Sequence, residues 1–376
     1  MKRVLAFLAV LSTVLIIGYL EPVFFPPEKA EIDISNNGGQ VVSHTALPHE
    51  ELEASGYALY IGKKISTFTQ EFGEPLTRYS TGLGYDLLIF GEEDSEYMEV
   101  SVNNDIIQSV KVFNTTDRTA PFNFEMTLSD ISELTTIFSN FSIDYEAEEY
   151  SIELTEEDMN YRPLIAFDNQ SFAVLFFTHG KESISGITYV SKEYLLTVMP
   201  YQLTTGQALP ITIEETEAEI AAEKQKTIIR MINLLRINDG LEPYAINSET
   251  MKNAVELYQF YEENASEFLS VERLESLSQV KNESLGEIAS AFIFSNTEFE
   301  KMADKSNLPL RKPDGIYMTP VYDPSFAALF WFSDGAYYAR FSQENAQNIG
   351  VAFSKEDVLV LLENTQNNTE ETEDSR

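Results

Sequence analysis

The chain opens with Met1, Lys2 and Arg3, followed by an apolar run from Val4 to Leu20. A positive end before about 17 apolar residues predicts a membrane-spanning anchor at the short end of the spanning range. The sequence Gly18-Tyr19-Leu20-Glu21-Pro22 is a poor cleavage site, so the reading is an uncleaved anchor. The positive-inside rule places residues 1–3 in the cytoplasm and the chain after Leu20 outside. Between residues 21 and 55 the pattern dissolves into Pro22, Pro26, Pro27, Asn36, Asn37, Gly38 and Gly39 among scattered acids. That composition predicts a stalk.

From residue 56 the periodicities return, and they repeat. Ile65, Phe68 and Phe72 fall at helical spacing within Lys63–Phe72, and Gly73 and Pro75 stop the helix. Strand-like runs follow at 85–90, 97–102 and 106–113, with Asn103-Asn104-Asp105 as the hairpin signal between the last two. A second copy starts with Thr127 as N-cap of a helix over Leu128–Phe138, with Leu128, Ile131, Leu134 and Phe138 on one face. Its strand-like runs are 164–167, 172–178 and 184–190, turning at His179-Gly180-Lys181. Two such units predict an α+β domain with antiparallel sheets over 56–205. Gly206 and Pro210 mark the boundary. A second domain over 215–362 opens with a helix from Ala218 to Arg236 and a helix from Asn247 to Glu263, and closes on a hairpin of Asn348–Phe353 with Val358–Leu362. Residues 363–376 are polar and acidic and read as disordered.

Composition sharpens this picture. With 43% hydrophobic and 12% aromatic residues both domains can bury cores. A net charge of −36 repels phosphate backbones, which argues against nucleic acid as a partner. There is no cysteine, hence no disulfide or thiolate chemistry.

Ile61-Gly62, Phe72-Gly73-Glu74-Pro75, Gly84-Tyr85 and Tyr97-Met98-Glu99-Val100 resemble the CAP-associated N-terminal domain of Gram-positive surface proteins. That domain usually precedes a CAP domain, of the cysteine-rich secretory, antigen 5 and pathogenesis-related type. The second domain resembles a CAP domain at four places in order. These are Asn233 to Arg236 with Gly240-Leu241-Glu242-Pro243, then Gly286-Glu287-Ile288-Ala289, then Trp331, Ser333 and Gly335, then Asn348 to Phe353. The resemblance implies an α/β/α sandwich with a cleft carrying two histidines and two acids. Here Leu257 and Ala336 take the histidine positions, and of the acids Glu287 is retained. Glu287, Leu257, Ala336 and Trp331 are therefore the candidates for a remnant cleft, and no catalytic residue is assigned. The chain's histidines are His44, His49 and His179. The first two fall in the stalk, and His179 reads as an exposed turn residue.

Other chemistry finds little support. Glu92, Glu93 and Asp94, and Glu146, Glu148 and Glu149, lack the spacing of a calcium loop and read as solvated faces. No glycine-rich phosphate loop is present. The aromatic residues Tyr258, Phe260, Tyr261, Phe330, Trp331, Phe332, Tyr337 and Tyr338 read as core, with a ligand-stacking surface as the alternative. The expected whole is an α+β protein on a single membrane helix, with its bulk extracellular. It is expected to act as a non-catalytic binding or scaffolding module for an envelope protein, lipid or wall polymer, with no metal or cofactor implied. The alternative is a carboxylate-dependent hydrolase of wall glycan or peptide.

Overall fold

The structure, a computed structural model, describes residues 49–198, 200–211, 218–282, 291–344 and 346–364. The anchor run, His44, most of the stalk, Glu287 and residues 365–376 lie outside the described residues. Among the described residues no helix is long and apolar enough to cross a membrane. The described residues fall in one compact unit.

The first half builds one eight-stranded sheet. The strands of the first repeat are β2 (Thr77–Ser80), β3 (Asp86–Phe90), β4 (Met98–Asn103) and β5 (Ile106–Val112). The turn from β4 to β5 is Asn104-Asp105, both at positive φ, the geometry that a two-residue hairpin demands. After β6 (Asn140–Tyr145) and β7 (Glu148–Glu153), the second repeat adds β8 (Leu164–Phe167), β9 (Phe172–Phe177) and β10 (Ile184–Val190). The repeats join through their last strands, because β10 pairs antiparallel with β5. The order is β1-β8-β9-β10-β5-β4-β3-β2. Here β1 is Glu51–Leu52, which pairs parallel to β8, so the segment read as stalk is tied into the fold from residue 51. His49 accordingly packs its ring 5.1 Å from that of Phe141 rather than hanging in a linker.

Helix α1 (Ile65–Phe72) covers one face of this sheet, with Phe68 fully buried. The helix α2 (Leu128–Leu134) is capped by Thr127 in a reciprocal box with Asp130. It ends four residues before Phe138, where Thr135 turns extended. The sequence periodicities do not show several short elements here. Among them are β2 and the β6–β7 hairpin, which with β11 (Gln202–Thr205) makes a separate three-stranded sheet. Others are α3 (Glu156–Tyr161) and α4 (Lys192–Val198).

The second half is a three-layer sandwich. Its helices are α5 (Ala218–Asn238), α6 (Ser248–Asn264), α7 (Val271–Asn282), α8 (Asn296–Lys305), α9 (Pro324–Ser333) and α10 (Gly335–Phe341). Its sheet runs β12-β15-β16-β14-β13, from β12 (Ala245–Ile246), β13 (Phe292–Ile293), β14 (Asp314–Thr319), β15 (Asn348–Ser354) and β16 (Asp357–Glu363). Alternation along the strands divides the side chains. Ile349, Val351, Val358, Val360 and Leu362 join the core with α5 and α9, whereas Ala352, Leu359 and Leu361 join Leu257, Tyr261 and Met302 under α6 and α8. Glu363, expected in the disordered tail, is instead a buried end of β16 that accepts from Arg311 N at 2.9 Å.

Helices α5 and α9 also face the first half. Phe172, Val174, Phe176 and Val190 of the large sheet share one core with Ile232, Phe326, Leu329 and Trp331. The two halves are thus layers of one body. Polar contacts cross this seam as well. Lys111 of β5 lies 3.2 Å from Glu99 Oε2 of β4 and 2.5 Å from Oδ2 of Asp323, the N-cap of α9.

Lys224 of α5 is buried against the β15–β16 turn and donates to Lys355 O at 3.1 Å. Burial drives its amine down to about 8 from an ordinary 10.5, with Glu356 opposing. A folded value below the unfolded one means that the unfolded chain holds the proton through that window while the folded chain does not. Stability from this group therefore rises with pH between about 8 and 10.5, and below about 8 the whole penalty is present. Comparing urea unfolding of the wild type and Lys224→Met at pH 7.5 and pH 10 should show the wild type gaining about 2–3 kcal/mol on the variant. Parallel pH curves would sink this reading.

Candidate functional site

The residues that match the CAP pattern are held for structural reasons that can be traced. Asn233 takes Tyr244 N on its Oδ1 at 2.8 Å and donates its Nδ2 to Tyr244 O at 3.0 Å. Arg236, one turn on, is buried with its guanidinium 3.9 Å above the Tyr244 ring. It donates to Glu242 O at 2.8 Å, to the Tyr244 hydroxyl at 2.9 Å and to Phe341 O. The Asn-x-x-Arg step therefore clamps the Gly240–Pro243 turn and the end of α10 onto α5.

Of the four remnant-cleft candidates, the three among the described residues lie apart. Leu257 is fully buried under α6 on one face of the sheet. Trp331 is fully buried on the other, stacked 5.4 Å from Phe341 with its indole N–H 3.2 Å from Met318 Sδ. Ala336 is exposed in the first turn of α10, where Asp334 caps its N–H at 2.9 Å. Leu257 and Trp331 face away from each other because the sheet lies between them, so they line no common cleft. Glu287 lies outside the described residues.

The polar chemistry beside Leu257 comes from residues read as core or not singled out. Asp357 Oδ2, at the start of β16, accepts from Tyr258 at 3.0 Å, Tyr317 at 3.0 Å and Lys281 Nζ at 2.6 Å. The Tyr261 and Tyr317 hydroxyls lie 2.6 Å apart. Burial first, and the Asp357 carboxylate next, push the Tyr258 and Tyr317 phenols well above the ordinary range. Burial alone would lower the Lys281 amine, but Asp357 outweighs it and raises it. Each donor stays protonated at neutral pH. The cluster can hold a carboxylate and present hydrogen bonds, but its phenols are poor proton acceptors. Only Asp357 Oδ1 is left without a partner. The sequence signal was the tyrosine spacing on α6, which reads as core because an aspartate from the closing hairpin meets it only in the folded chain.

His179 also sits differently from the exposed turn residue expected of it. It is half-buried, its ring 4.8 Å from that of Tyr161, and its backbone N–H donates to Phe332 O at 2.8 Å. A Cβ on Gly335 would fall 2.7 Å from its Cε1, so a larger residue there would require the imidazole to shift. The first half thus brings a histidine to the neighbourhood of Ala336, though not into a pair. Among the described residues no group of three histidine or acidic side chains is placed to hold a metal ion. Glu92, Glu93, Asp94, Glu146, Glu148 and Glu149 are exposed. Of the aromatic set, Tyr258, Tyr261, Trp331 and Phe332 are buried, whereas Phe260, Phe330, Tyr337 and Tyr338 are half-buried.

Residues 61–201 match the family model described as CAP-associated N-terminal. An uncharacterized membrane protein, YlbC, of Bacillus subtilis (strain 168) is 22% identical over 222 residues, covering 57% of this chain. The chain spans only 62% of that relative's length. A cysteine-rich secretory protein of Staphylococcus aureus superposes with a TM-score of 0.64 at 20% identity, over 83% of this chain and 95% of that one. An extracellular protein containing a SCP domain from Bacillus anthracis superposes with a TM-score of 0.63 at 16% identity, over 88% of this chain and 100% of that one. Residues 61–201 thus match the CAP-associated N-terminal family model, and the chain shares the fold of these two solved structures.

Proposed function

We propose that the protein is a membrane-anchored, extracellular module that binds or scaffolds a component of the cell envelope and catalyses no reaction on a substrate. The anchor in this reading is Val4–Leu20, with Met1 to Arg3 in the cytoplasm. The membrane-protein relative and the extracellular structural neighbour support that placement. The observation that carries the non-catalytic reading is the site itself. One histidine position is a fully buried leucine, the other an exposed alanine, and the neighbouring Asp357 is already held by three protonated donors. Neither Leu257 nor Ala336 can exchange protons, and among the described residues His179 beside Ala336 stands without a second histidine to pair with. The partner is an envelope protein, a lipid or a wall polymer, and the net charge of −36 speaks against nucleic acid.

A thermal-shift titration of the full chain in detergent tests this reading. Its probes are soluble muropeptides, phosphatidylglycerol vesicles, zinc and calcium. A ligand that binds only the folded state raises the midpoint with concentration. The expected result is a rise with muropeptides or vesicles and none with either metal. A zinc or calcium shift that disappears in Glu287→Ala, or cleavage of the muropeptides, counts against it.

A further inference from the structure

The seam between the halves holds three ionisable groups that no water reaches. Lys111, Glu99 and Asp323 have wholly buried side chains, with Lys111 Nζ 3.2 Å from Glu99 Oε2 and 2.5 Å from Asp323 Oδ2. The remaining oxygens are positioned too. Asp323 Oδ1 takes the Phe326 N–H at 2.8 Å, and Tyr194 donates to Oδ2. Glu99 Oε1 accepts from Tyr97 at 2.5 Å and Ser325 at 2.5 Å. Aromatic rings wall the site: Tyr85 and Tyr194 pack edge to face at 5.9 Å, and the Lys111 amine lies 6.0 Å from the centre of the Tyr194 ring. An amine, a carboxyl group and a second acid are thus fixed together in a dry enclosure. Amide formation releases water, so it is favoured where water is excluded and the reactants are pre-positioned.

We propose that Lys111 and Asp323 become joined by an intramolecular amide bond, made by the folded chain itself with Glu99 as the proton carrier. Burial favours a neutral Lys111 amine, but Asp323 and Glu99 outweigh it and raise the amine, so the reaction starts from the minor form in which Lys111 has passed a proton along its short contact to Asp323, leaving a neutral amine and a neutral acid. The nitrogen lone pair attacks Cγ of Asp323. Oδ1 takes up the developing negative charge against the Phe326 N–H. Glu99 takes the surplus proton from the nitrogen and hands it to the departing Oδ2 hydroxyl, which leaves as water. One C–N bond forms, one C–O bond breaks, one water is released and Glu99 is restored, with no oxidant or cofactor required. The bond would tie the CAP-associated half to the CAP-like half in a chain that has no cysteine for disulfides.

Mass spectrometry of the purified full chain decides the matter. In the wild type, a tryptic digest should yield a branched peptide carrying both Lys111 and Asp323, lighter by one water than its two parts, with no cleavage after Lys111. Lys111→Met and Asp323→Ala should give only linear peptides. Glu99→Gln, shown by circular dichroism to be folded, should lose most of the branched species while keeping both reacting residues. A folded wild type that yields linear peptides cut after Lys111, or a water loss that maps to another pair, overturns the proposal. This holds even if a variant fails to fold, because the wild-type digest is sufficient.

Discussion

Replacing Lys111 by methionine should destabilise the protein by about 3–5 kcal/mol at neutral pH, the cost of removing one partner from a buried charged group. Glu99 and Asp323 would face each other with no cation between them, both with wholly buried side chains. Tyr97, Ser325, Tyr194 and the Phe326 N–H would still donate to them. Those donors cannot neutralise two acids in the same enclosure. The loss should be read from urea unfolding followed by circular dichroism, as a lowered midpoint with an unchanged slope. Because the large sheet and helices α5 and α9 share one core, the transition should remain single, with both halves lost together. Glu99→Gln should cost less, since Lys111 and Asp323 remain paired as ions where the amide does not form. Equal stability of Lys111→Met and wild type would show that the seam does not depend on this cluster.

The second large effect is expected at Trp331. Trp331→Ala should cost about 3–5 kcal/mol, the range for deleting a large buried aromatic side chain. Trp331 is fully buried in the layer between the two sheets, stacked on Phe341, with its indole N–H on Met318 Sδ. Truncation leaves a cavity beside Phe341 and Met318 in a layer that sheets cover on both sides. Trp331→Phe should recover much of the loss because it keeps a ring against Phe341. As Trp331 is the only tryptophan, its fluorescence vanishes with the substitution, and unfolding must be followed by circular dichroism. A loss below about 1 kcal/mol would mean that the site collapses freely and that the layers are looser than described.

Much of the architecture was legible because its signals are local. Ile65 and Phe68 at helical spacing, the stop at Gly73, and the Asn104-Asp105 turn report conformations that neighbouring residues enforce on one another. The β6–β7 hairpin was missed for the same reason. Its turn is Glu146-Ala147, both at positive φ, and neither residue type advertises that geometry. Helix α9 was obscure because Pro324–Ser333 is apolar on nearly every face. Such a helix shows no stripe, and the cause is that sheets cover it from both sides. The candidate site was legible only as an absence: with no histidine after residue 179, the two-histidine cleft of the resemblance cannot form within the second domain. The Tyr258, Tyr317, Lys281 and Asp357 cluster that lies there draws on four different elements.

From the sequence by itself came much of the order of elements, the repeat in the first half, the family resemblance and the absence of histidine after residue 179. Each depends on residue identity and on spacing within a short stretch. Only the tertiary structure decided that the halves form one body, that His179 reaches Gly335, and that Lys111 and Glu99 are buried. On their strands those two residues look like solvent-facing polar positions. What covers them is α9, with Ser325 lying 226 positions along the chain from Glu99. Periodicity shows that a side chain points away from its own strand's core, but what it then meets is settled by which distant element packs there.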